Sequence, residues 1–89
     1  MKKYASVWDS ISDTPGEAEV MKVRSTLMLA LRKHADTKQW SADEAAKRFG
    51  VTGPRLSEMM AGKIDLFTIE ELIAMTTNAG LRAEFTVTA

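Results

Sequence analysis

From Lys47 to Lys63 the chain runs KRFGVTGPRLSEMMAGK, and its best candidates for chemistry sit on one short segment of that stretch. Thr52 and Gly53 stand where a helix begins, so unpaired backbone amides there could meet a phosphate. Arg55 follows on the flank, with a planar fork that could reach a guanine edge or a phosphate. Pro54, Ser57, Glu58 and Ala61 share the outer face, and Glu58 could accept from cytosine. Lys47, Arg48 and Lys63 border the segment and could hold it against a sugar–phosphate backbone. This is chemistry of recognition and not of catalysis. The single histidine, His34, has no nucleophile or paired carboxylates at a useful spacing, and with no cysteines thiolate metal sites are excluded. Gly50 and Gly53 belong to a turn and do not form a phosphate-cradling loop. No catalytic residue, cofactor or metal site is expected.

The elements that position these residues follow from the spacing around them. Leu56 and Met59 point inwards three residues apart, which leaves the polar positions outside. Ala45 and Ala46 are small, as a close helix crossing needs. Phe49 fills the core, Gly50 makes the corner and Val51 packs beneath it. This register is that of a helix-turn-helix, whose second helix lies across the major groove of DNA. The outer face is sparsely charged, so a dimer with half-sites about one turn (roughly 34 Å) apart would raise affinity through avidity.

Helix starts and stops are marked along the rest of the chain. Thr14-Pro15-Gly16-Glu17, Ser41-Ala42-Asp43-Glu44 and Thr68-Ile69-Glu70-Glu71 each place a capping hydroxyl three residues before a carboxylate. Gly50, Gly62 and Gly80 each follow an apolar pattern, as C-terminal glycines do. Helices are therefore predicted over about Pro15 to Lys38, Ala42 to Phe49, Gly53 to Ala61 and Ile69 to Ala79. The first carries Val20, Val23, Leu27, Leu31 and His34 as a stripe, widened by Met21, Met28 and Leu29. Leu66 and Phe67 are expected to plug the core from a loop. Leu81 to Thr88 alternates apolar and polar with period two, which predicts a strand. Its partner could be Tyr4 to Trp8, the same strand of a second subunit, or the sheet edge of another protein. Tyr4, Trp8 and Ile11 equally fit a short helix. The chain divides into an N-terminal segment 1–13, a helix-turn-helix domain 14–80 and a C-terminal strand 81–89.

Eighty-nine residues make one domain, near the lower end of what supports a core unaided. The net charge is zero, from 12 basic and 12 acidic residues, which argues against tight nonspecific binding to nucleic acid. The charges are segregated: Lys22, Arg24, Arg32, Lys33 and Lys38 face only Asp36, whereas Asp65, Glu70, Glu71 and Glu84 outnumber Arg82 after residue 64. No stretch resembles a signal peptide or reaches the length of a membrane span, so a cytoplasmic location is expected.

The stretch from Trp40 to Glu58 resembles the helix-turn-helix of lambda-repressor-like XRE-family regulators. The flanks, Ser6-Val7-Trp8-Asp9, Gly62 to Phe67 and Gly80-Leu81-Arg82, resemble the HigA-like antitoxins of type II toxin–antitoxin pairs. The resemblance implies an all-helical DNA-binding domain, and with the strand read from the alternation the expected fold is all-α, a lambda-repressor-like bundle of about five helices with a short C-terminal β-strand. It implies a homodimer that binds double-stranded operator DNA in the major groove, neutralises a cognate RelE/ParE-like toxin (an RNase acting on messenger RNA) and represses its own operon. The family's DNA contacts map onto Thr52, Gly53, Pro54, Arg55, Ser57 and Glu58. The chain departs from the family pattern at Ala42 and Gly53, where such proteins often carry glutamines that hold a phosphate and read a base. Two other functions fit the same residues. One is an interaction module that grips a toxin with little specific DNA binding, and the other is a stand-alone phage- or plasmid-type repressor.

Overall fold

A computed structural model describes residues 15–89. Four α-helices occupy them: α1 (Pro15–Lys38), α2 (Ala42–Phe49), α3 (Gly53–Met60) and α4 (Ile69–Asn78), with a 3₁₀ turn at Ile64–Leu66. The bundle thus has four helices among the described residues and not about five. The N-terminal segment 1–13, including Ser6 to Asp9 and the alternatives weighed for Tyr4, Trp8 and Ile11, lies outside them.

The expected strand at 81–89 is also corrected: no strand forms among the described residues. A period-two pattern fixes only how side chains alternate. A strand needs a second strand's edge to take its backbone groups, and the described residues supply none beside this segment.

The core is built at the meeting of all four helices. Leu27, Met28, Leu31 and Ala35 enter from α1, Ala45, Ala46 and Phe49 from α2, Leu56 and Met59 from α3, and Leu72 and Met75 from α4. Phe67 fills the space beneath the loop before α4 and is fully buried, whereas Leu66 beside it is 46% exposed. Only Phe67 therefore acts as the plug. Burying each of the leucine, methionine and phenylalanine side chains among them contributes about 1.5–3 kcal/mol, so these few residues supply most of the drive to fold. The α1 stripe is narrower than its sequence pattern. Leu27, Met28 and Leu31 are buried, but Leu29 is 60% exposed and Val20 is 38% exposed.

All four helices stop in the same way. The amides of Gln39, Gly50, Gly62 and Gly80 donate to the carbonyl three residues back. The next amides, of Trp40, Val51, Lys63 and Leu81, donate to the carbonyl five residues back. This is the Schellman arrangement, which takes up carbonyls that the helix end would leave without donors. It needs positive φ at the first of each pair, and glycine meets that need at three stops while Gln39 adopts φ 56° at the end of α1. The starts are less uniform. Thr68 and Glu71 close both halves of a capping box, and Ser41 accepts from the Glu44 amide. The Glu44 carboxylate turns instead to Arg48. Thr14, the expected cap of α1, lies outside the described residues.

Candidate nucleic-acid interface

The corner between α2 and α3 is set by one glycine and one asparagine. Gly50 adopts φ 73°, which a side chain would resist. A Cβ there would also come within 2.6 Å of Asn78 Nδ2 on α4. That same nitrogen donates to the Phe49 carbonyl at 3.0 Å, so the corner is hydrogen-bonded to α4 as well as bent by glycine.

α3 leaves the corner with its inner side fixed. Leu56 and Met59 are buried at 4% and 0% exposure, and Thr52 caps the helix by accepting from the Arg55 amide. Thr52, Gly53, Pro54, Ser57 and Ala61 are exposed, and Glu58 is half-buried. Among the described residues nothing lies within 4 Å of where a Cβ would stand at Gly53, so a surface could approach the backbone there closely. The helix is thus held from behind with small and polar groups outside, as its spacing predicts.

Arg55 sits differently from its neighbours. Its guanidinium lies over the Phe67 ring, 4.0 Å from the centroid. Nη1 donates to Glu58 Oε1 and to the Leu66 carbonyl, both at 2.9 Å, and Nη2 donates to Glu71 Oε2 at 3.0 Å. One side chain therefore joins α3, the 3₁₀ turn and the start of α4. Planar geometry suits this role, since a fork can serve several acceptors while its face stacks on an aromatic ring. Glu71 is the other half of the joint. The Thr68 amide, which donates to its carboxylate, holds its pKa below the ordinary glutamate value; burial opposes this in part, and Arg55 adds to the lowering.

The border cations divide in two. Lys47 and Lys63 are exposed and form no ion pair among the described residues. Arg48 pairs with Glu44 at 2.6 Å and lies 5.5 Å from the centre of the Trp40 ring. Trp40 in turn meets His34 and Phe49 edge-on, with centroids 5.2 and 5.7 Å away. His34 is therefore a packing residue, as its place on α1 suggests. Sequence reasoning did not single out Trp40, Glu71 or Asn78 for these roles. Asn78 lies 29 positions from its partner Phe49, and no local spacing carries that contact.

Among the described residues no cluster of histidine, cysteine or carboxylate side chains could hold a metal, and no helix is long and apolar enough to cross a membrane.

Two short helices meeting at a left-handed glycine, the second backed by Leu56 and Met59 and bare outside, define a helix-turn-helix protein. The chain belongs to the helix-turn-helix domain family, whose model matches residues 11–88. A solved structure named "Putative XRE Family Transcriptional Regulator" is similar over 82% of each chain, at 25% identity and a TM-score of 0.75. No curated protein matches the sequence.

Proposed function

We propose that the chain is a sequence-specific DNA-binding repressor of the XRE type that acts as a homodimer. The observation that carries this is the presentation of α3. The helix is pinned behind by Leu56, Met59 and Arg55, while Thr52, Gly53, Pro54 and Ser57 face outwards. In the major groove these residues and Glu58 would meet base edges, the amides at Thr52 and Gly53 would meet a phosphate, and Lys47 and Lys63 would anchor the flanks. Arg55 contributes by fixing the angle of α3 through Glu58, Leu66 and Glu71. Similarity to a protein named as an XRE-family regulator supports the same assignment.

The proposal extends to an antitoxin that represses its own operon and neutralises a RelE/ParE-like toxin. This part is supported by the resemblance of residues 6–9, 62–67 and 80–82. Deleting residues 1–13 is expected to release the toxin and leave DNA binding largely intact.

The test is a fluorescence-anisotropy titration against DNA from just upstream of the chain's own gene, at two salt concentrations. Binding is expected to exceed that of scrambled DNA, to weaken with salt and to collapse in Ser57→Glu, which places a charge on the presented face. Binding no better than to scrambled DNA would overturn the proposal. It would favour a domain kept to hold a protein partner, a function for which the self-neutralised Arg48–Glu44 and Arg55–Glu58 pairs already speak.

A further inference from the structure

After the Schellman stop at Gly80 the chain passes along α1 and encloses an open groove of about 740 Å³. Val23, Leu27 and Ala30 line its helix side, and Leu81, Ala83 and Phe85 line the other. Among the described residues no amide beyond Leu81 finds a backbone acceptor. Leu81 and Ala83 are half-buried while Arg82 and Glu84 are exposed, so the period-two alternation survives without a ladder. Phe85 is 58% exposed and Val87 is 95% exposed, which adds large apolar side chains beside the unpaired backbone. A segment with unpaired backbone thus lies beside an open groove lined largely by apolar side chains.

The sequence of the segment indicates what completes it. Two antiparallel copies related by a twofold axis at Ala83 place Arg82 opposite Glu84 of the second copy, and Glu84 opposite its Arg82. Leu81 falls opposite Phe85 in both directions on the other face. Centring the axis on Arg82 or on Glu84 instead sets like charges against each other, which is unfavourable across a strand pair. Centring it on Phe85 leaves both charges facing threonines. Charge therefore selects one register, and in it the apolar face of both copies turns towards the α1 groove.

We infer that residues 81–85 pair with the same residues of a second copy about Ala83, seating that strand in the groove along α1. The inference rests on the homodimer proposed above and gives that dimer its interface. It also satisfies the orphaned backbone groups, since each strand supplies the other's missing edge.

The test is sedimentation equilibrium on the full chain. Arg82→Glu and Glu84→Arg are each expected to weaken self-association roughly tenfold, because each sets two pairs of like charges face to face. An equimolar mixture of the two variants is expected to regain wild-type affinity as a heterodimer. Within either variant chain the 82–84 pair stays repulsive, so only pairing between chains can restore association. Because the chain has no cysteine of its own, Ala83→Cys should cross-link on mild oxidation. A monomeric wild type, single variants that dimerise normally, or a mixture that fails to recover would overturn the interface. Cross-linking through Phe85→Cys in place of Ala83→Cys would overturn the register. A chain that binds its upstream DNA yet ignores the charge changes would keep the proposed function and place its twofold elsewhere.

Discussion

Arg55 and Arg82 each have a glutamate nearby in sequence, and the molecule uses them in opposite ways. Arg55 joins Glu58, Glu71, the Leu66 carbonyl and the Phe67 ring. Among the described residues Arg82 bonds to Glu84 alone, at 3.0 Å, with its side chain 82% exposed. Around Arg55 the polar groups of three segments satisfy one another within the chain. Around Arg82 the ion pair stands in solvent, and the backbone amides beyond Leu81 and the side chains of Phe85 and Val87 are left open. A surface that must hold one shape is closed internally, and a surface that must receive another molecule is left incomplete. The contrast also separates two kinds of arginine that composition cannot distinguish: one fixes a helix, the other displays a charge.

The sharpest way to break the closed side is Phe67→Ala, which removes a buried ring from both the core and the Arg55 stack. A loss of about 3–5 kcal/mol is expected in urea unfolding. A loss under roughly 1 kcal/mol would mean that the joint does not depend on its aromatic floor. Arg55→Ala should cost less, about 1–2 kcal/mol, since part of the guanidinium is solvated and its partners can turn to water. Its effect on DNA should be a weaker affinity for all sequences alike. A change in base preference would instead make Arg55 a direct reader.

Glu71 sharpens the comparison through pH. Its pKa is lowered in the fold, chiefly by the Thr68 amide and then by Arg55, so the unfolded chain binds its proton first as pH falls. The contribution is fully present above the ordinary glutamate range and is lost as pH drops through that range to the lowered value. Wild type should therefore exceed Glu71→Gln in stability at neutral pH and lose that advantage in acid. Equal stabilities at neutral pH would remove Glu71 from the joint. The smallest effect belongs to the open side: Val87→Ser should leave unfolding of the dilute monomer within about 0.5 kcal/mol of wild type. A larger loss would show that the tail already packs within the chain.

Much of this was legible in sequence because its causes are local. Thr68-Ile69-Glu70-Glu71 announced the start of α4, and Gly50 announced both the stop of α2 and the corner. Leu56 and Met59 announced which side of α3 faces inwards. What escaped depends on pairs far apart in the chain. Arg55 looked available because Glu71, 16 positions on, carries no mark of being its partner. The Asn78–Phe49 bond escaped for the same reason. Leu81 to Thr88 showed a strand's alternation, yet a strand is a property of two edges and only one lies within the described residues. Gln39 was hidden differently, since glutamine is an unusual choice for a left-handed stop.

The shared helix stops bear on how fast the chain folds. Each closes within six residues, so most of the architecture can be decided before distant parts meet, and helical domains with such local contacts fold in microseconds to milliseconds. The end of α1 is the exception. Without glycine its left-handed turn is the costliest of the four, and Trp40 just after it packs on His34 and Phe49, so this stop waits more than the others on tertiary contact. Gln39→Gly removes that wait. In stopped-flow refolding the variant is expected to fold faster than wild type, with the gain lying in the folding limb and little change in unfolding.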